Sequence, residues 1–98
     1  MCGASAGGTS LEGIHTAEQS IIQGVVIRDS QPVIGAYVRL LDRSGEFTAE
    51  VPTSATGHFR FFAAPGQWTL RTLAPKTASV DRGVVAVKGV VSEVEIAV

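Results

Sequence analysis

One cysteine, one tryptophan, one tyrosine and one methionine are all that this chain of 98 residues holds of those four types. A single cysteine cannot close an internal disulfide, so the chain is not a small secreted domain stapled by cross-links. No apolar run approaches the ~20 residues of a membrane-spanning helix, and no membrane partner is expected. Neither sign of charge dominates, with eight Lys and Arg against nine Asp and Glu and a formal net charge of -1. Nucleic acid, which is held through a basic surface, is therefore not an expected partner. Cys2, His15 and His58 are scattered, with no Cys-x-x-Cys or His-x-x-x-His spacing. No metal site and no cofactor follow from them.

What is present is an ordinary globular balance of 45% hydrophobic and 17% charged residues, enough for one domain at this length. Residues 1–18, MCGASAGGTSLEGIHTAE, contain four glycines and no alternating pattern, which reads as a flexible N-terminal arm. The arm lacks the charged start and the apolar stretch of roughly 7–15 residues that mark a secretory signal, so a cytoplasmic location is expected.

Residues 19–98 read as one β-domain. The apolar period from Ser20 onward is two, as in half-buried strands. Ile22, Gly24 and Val26 point one way; Ala36, Val38 and Leu40 do the same in a second strand. Phe47, Ala49 and Val51 follow the turn at Arg43-Ser44-Gly45, then Phe59 and Phe61, then Trp68 and Leu70. A weaker strand covers about 80–87, and Val94, Ile96 and Val98 end the chain. About seven strands, with turns every ten or so residues, predict an all-β, antiparallel two-sheet sandwich of immunoglobulin-like size. Its expected core is Val26, Val38, Leu40, Phe47, Phe59, Phe61, Trp68, Leu70, Val94 and Ile96.

The stretch GVVIRDSQPVIGAYVRLLD resembles the opening of carboxypeptidase regulatory-like domains, which are transthyretin-like sandwiches. Gly24, Val26, Pro32, Gly35, Ala36, Val38 and Leu40 carry that likeness, and so do Gly57, Phe59, Phe61, Pro65, Gly66, Trp68, Thr69 and Leu70 further on. A narrower resemblance runs through YVRLLDRSGEFTAEVPTSATGHFRFFAAPGQWTLR and the opening MCGA. Both are similar to SseC, a family of small actinobacterial proteins assigned to sulfur metabolism and tending to be encoded beside a thiosulfate sulfurtransferase. The resemblance implies an accessory protein with a rhodanese-type sulfurtransferase as partner. It implies no catalytic residue. Transthyretin-like hydroxyisourate hydrolases end in Tyr-Arg-Gly-Ser, whereas this chain ends Glu95-Ile96-Ala97-Val98, so that activity is not expected.

Cys2 is the sulfur-carrying candidate. A thiol on a Gly/Ala/Ser arm can reach a partner, and thiolates accept sulfane sulfur from persulfides. The alternative is an incidental thiol on the tail of a binding or structural module. Arg39, Arg60 and Arg71 alternate with core residues and so face outward; on neighbouring strands they would make an oxyanion patch. The competing reading pairs them across strands with Glu46, Glu50, Glu93 or Glu95. Tyr37, Leu41, Phe62 and Leu73 are apolar yet out of phase with the core, which marks them as candidates for an interface with a second copy or another protein. Ser54 and Thr56 occupy a turn, where hydroxyl residues are common, and no catalytic centre is expected inside the sandwich.

Overall fold

The computed structural model describes residues 4–6 and 20–98. In chain order the strands are β1 (Ala4–Ala6), β2 (Ser20–Arg28), β3 (Gln31–Pro32), β4 (Tyr37–Leu41), β5 (Phe47–Pro52), β6 (His58–Ala63), β7 (Gly66–Leu73), β8 (Val80–Ala86) and β9 (Val91–Ala97). No helix occurs among the described residues. Seven of these strands are long, in line with the period-two segments of the sequence; β1 and β3 are short additions. Sheet A contains β1, β6, β2, β3 and β9, and sheet B runs β5-β4-β7-β8. The fold is the expected all-β two-sheet sandwich. Its ladders are antiparallel except one, in which β9 runs parallel to β2 from Ile21↔Val91 to Ile27↔Ala97.

Within the segment read as an arm, Ala4–Ala6 adds to the edge of sheet A, opposite Ala63, Phe62 and Phe61. Cys2 and His15 lie outside the described residues.

Alternation explains the core. Ile22, Val26, Phe59, Phe61, Val94 and Ile96 project from sheet A onto Val38, Leu40, Val51, Trp68 and Leu70 of sheet B, and all are buried. Phe59 and Phe61 share one face of β6 with ring centroids 6.1 Å apart, a tilted pair that fills the centre. Trp68 is 9% exposed and its indole N–H donates to the carbonyl of Ala64 at 2.9 Å, so its one polar atom is satisfied.

Phe47 departs from expectation. It is 62% exposed, not core. The β4–β5 register shifts between Leu40 and Leu41: Leu40 faces Ala49, but Leu41 faces Phe47. Thr48 is therefore an extra residue, and a one-residue bulge sends every side chain beyond it to the opposite face.

The two sheets are stitched along one side. Arg82 Nη1 donates to the carbonyl of Glu95 at 3.0 Å, and Ser92 Oγ donates to the carbonyl of Val85 at 3.0 Å. These side chains occupy backbone acceptors on edge strands β8 and β9, groups that would otherwise invite another strand. At one end of the sandwich, Thr53 clamps the β3–β4 loop: its Oγ1 donates to the carbonyl of Val33 at 2.6 Å and accepts from the N–H of Ala36 at 2.9 Å.

Candidate functional site

Because β6, β2 and β9 lie side by side, their outward residues form rows across sheet A. One row is Phe62, Ile21, Val91; the next is Arg60, Gln23, Glu93; a third is His58, Val25, Glu95. In the middle row the Gln23 amide joins unlike neighbours. Its oxygen accepts from Arg60 Nε at 3.0 Å, and its nitrogen donates to Glu93 Oε1 at 2.9 Å. The amide thus holds a cation and a carboxylate on opposite sides of one strand.

This face carries a cavity of about 680 Å³, lined among the described residues by these two polar rows and by Val51 to Ser54 and Thr56. Its rim is ordered by hydroxyls. Ser54 Oγ accepts from the backbone N–H groups of Thr56 (3.3 Å) and His58 (3.1 Å), and it lies 3.1 Å from Thr56 Oγ1. Thr56 Oγ1 in turn shares a hydrogen bond of 2.8 Å with His58 Nδ1. The sequence assigned Ser54 and Thr56 to a turn and did not connect them to His58. The turn itself makes the connection, since Gly57, with φ of 77°, folds the chain back so that His58 meets Thr56. This surface can bind a polar, extended partner through amide, hydroxyl, imidazole and carboxylate groups.

Sheet B presents a different face. Its central outward row, read across β5, β4, β7 and β8, is Glu50, Arg39, Arg71, Asp81. Arg39 Nε donates to Glu50 at 2.7 Å, and Arg71 grips Asp81 with two bonds of 2.9 and 3.0 Å. Those bonds from Arg71 hold the Asp81 carboxyl below the usual carboxylate range and raise the Arg71 guanidinium in turn. At the β4–β5 turn, Asp42 is also held low, first by the Ser44 hydroxyl and then by the Glu46 N–H.

Arg39 and Arg71 are therefore neighbours, whereas Arg60 sits on the other sheet, because β6 belongs to sheet A. The three arginines do not make one oxyanion patch, and each of them reaches a side-chain partner on an adjacent strand. The pairing of Arg39 with Glu50 was among those anticipated; Asp81 and Gln23 were not. Tyr37, Leu41 and Leu73 share the outer face of sheet B, with Tyr37 directly opposite Leu73. Tyr37 is 49% exposed and Leu41 only 5%. Phe62 lies on sheet A, half-buried, beside the fully buried Ile21. No three His, Cys, Asp or Glu side chains converge as metal ligands among the described residues.

The fold and this surface define a small all-β sandwich domain with a polar, concave face on one sheet and an amphipathic face on the other. The sequence model of a family described as "Protein of unknown function (DUF1416)" matches residues 2–98, and the chain belongs to that family. The uncharacterized protein Rv0814c of Mycobacterium tuberculosis is 55% identical over 76 residues, covering 76% of each chain. An uncharacterized protein of Mycolicibacterium smegmatis is 59% identical over 63 residues, covering 63% of this chain and 70% of the relative. Among solved structures, the dioxygenase domain of a dioxygenase carbohydrate-binding protein fusion from Streptomyces sp. SirexAA-E superimposes with a TM-score of 0.67 at 13% identity. That match covers 93% of this chain and 86% of the other. A DUF3823 family protein from Parabacteroides merdae gives a TM-score of 0.59 at 18% identity, over 83% of this chain and 46% of the other. Likeness at such identities is a likeness of fold.

Proposed function

We propose that this protein is a non-catalytic accessory protein of sulfur metabolism, of the SseC kind, which works in the cytoplasm with a rhodanese-type sulfurtransferase. In this reading Cys2 carries the sulfur and the outer face of sheet A docks the donor. The observation that carries it is the pairing of Ala4–Ala6 with β6. It fastens the chain two residues after Cys2 to the edge of sheet A, with Ala4 opposite Ala63.

The chemistry needs no residue of the sandwich. The Cys2 thiolate attacks the outer sulfur of the donor's cysteine persulfide, a new S–S bond forms on Cys2, and the donor's thiolate leaves. No external oxidant or reductant enters. The test is intact-mass analysis after incubation with thiosulfate and a sulfurtransferase. A gain of one sulfur atom is expected on the parent, removable by dithiothreitol and absent from Cys2→Ser, whose thermal stability should stay within ~0.5 kcal/mol of the parent. If the parent gains no sulfur, the cavity on sheet A favours the second reading. The chain is then a binding or structural module of the carboxypeptidase regulatory-like kind, with Cys2 incidental.

A further inference from the structure

We propose that the outer face of sheet B is the contact surface of a two-fold homodimer, with the symmetry axis running along the strands between β4 and β5. Two apolar rows flank the charged row on this face. Phe47, 62% exposed, lies opposite Leu41 on one side, and Tyr37, 49% exposed, lies opposite Pro52 on the other. Large aromatic side chains left in water beside ordered ion pairs are the composition of an interface centre and its surroundings.

Charge selects both the occupant and its alignment. The row Glu50, Arg39, Arg71, Asp81 reads minus, plus, plus, minus from either end. In a two-fold contact residue i meets residue j and residue j meets residue i, so this palindrome is complementary to itself only about an axis displaced from its centre. Three axes along the strands are available. An axis between β4 and β7 stacks Arg39 on Arg71 of the second copy, which like charge forbids. An axis between β7 and β8 satisfies Arg71 and Asp81 but leaves both aromatic residues uncovered. An axis between β4 and β5 sets Arg39 against Glu50 and Tyr37 against Pro52 and lays Phe47 over the position of Leu41, whose own side chain is only 5% exposed, each contact made twice. All three are complementary because those residues already face each other across the β4–β5 ladder. The sandwich measures 37 by 30 Å across its broad face. An axis one strand off the sheet's centre displaces the copy by two strands, ~10 Å, and the remaining overlap, centred on β4 and β5, is on the order of the ~800 Å² per partner of an ordinary interface.

The experiment is sedimentation of the full chain and three variants, each first shown to melt like the parent. The parent should sediment as a dimer. Phe47→Asp should raise the dimer Kd by about tenfold or more. R39E and E50R should each be monomeric, since each sets like charges against its own copy. Mixed in equal amounts they should re-form a dimer, because the acidic β4–β5 surface of one then faces the basic surface of the other. A monomeric parent overturns the proposal. So does a Phe47→Asp variant as tightly dimeric as the parent, or a mixture of the two charge variants that fails to associate.

Discussion

Arg39 and Arg71 stand directly opposite each other on adjacent strands, and each is held by an acid on its far side, Glu50 for one and Asp81 for the other. Like charges in a cross-strand pair repel, so the two flanking carboxylates are what make the juxtaposition tolerable. Both ion pairs are close to half exposed, and water screens them. Their value is in alignment more than in stability: they fix which charges the face of sheet B offers to anything that lands on it.

The pH dependence of stability follows from the two carboxylates held low, Asp42 and Asp81. Each has a folded pKa below its unfolded value of ~3.9. The contribution is therefore complete above that value and is lost as pH falls through the folded pKa. Thermal melts of the parent should drop in midpoint below about pH 4. The double variant Asp42→Asn/Asp81→Asn should melt slightly lower than the parent at neutral pH, with the gap closing on acidification. A gap that stays constant across the titration would contradict the assignment.

Much of this fold is legible in the residues because alternation is a local property. Val38 with Leu40, Phe59 with Phe61, and Trp68 with Leu70 each declare an inward face within a few positions, and all six are buried. Phe47 obeys the same local rule and breaks it in space, because the bulge that turns it outward is fixed by pairing with Leu41 and not by its own neighbours. The arginines show the second limit. Their outward direction was readable, but whether their strands adjoin depends on which sheet each joins, and that is decided by contacts remote in sequence. The Gln23–Glu93 bond spans 70 positions. The partnership of Arg71 with Asp81 was hidden for a related reason: the connection between β7 and β8 is long enough that turn geometry sets no register.

Gly24 should be irreplaceable. A Cβ at this position would meet the carbonyl oxygen of Val94 closer than any such contact can stand, and Phe59 Cζ at 2.9 Å. The first obstacle is backbone, so relief requires pulling β9 away from β2. Gly24→Ala should cost ~3 kcal/mol or more in chemical denaturation. Gly83, on edge strand β8, has nothing within 4 Å of the same hypothetical atom. Gly83→Ala should be neutral or stabilising by ~0.5–1 kcal/mol, since it removes backbone freedom from the unfolded chain.

Trp68 joins the core by area and by one bond, from its indole N–H to the Ala64 carbonyl. Trp68→Ala should cost ~3–5 kcal/mol, a large share of the stability of a domain this size. Trp68→Phe should cost less, because most of the buried surface survives and only the hydrogen bond is lost. Equal destabilisation by the two would mean that the bond, not the packing, dominates.

Thr53 is the sharpest test of the loop architecture beside the cavity, where it is also a lining residue. It is 5% exposed, and its single hydroxyl serves two backbone groups of the β3–β4 loop, donating to Val33 and accepting from Ala36. Its own N–H donates to the Ala36 carbonyl at 2.7 Å, and its carbonyl accepts from Gly35 at 3.3 Å. Thr53→Val keeps shape and β propensity but removes the hydroxyl, leaving the Ala36 N–H buried without its acceptor. An unsatisfied buried donor costs ~1–3 kcal/mol, and a second lost bond at Val33 adds to it. Thr53→Ser keeps both bonds and loses only a methyl group, so it should recover most of the difference. Hydrogen exchange gives the local reading: the Ala36 amide should lose protection in Thr53→Val and retain it in Thr53→Ser. If the valine variant melts like the parent, the hydroxyl is not what holds this loop, and backbone pairing between Thr53 and Ala36 suffices.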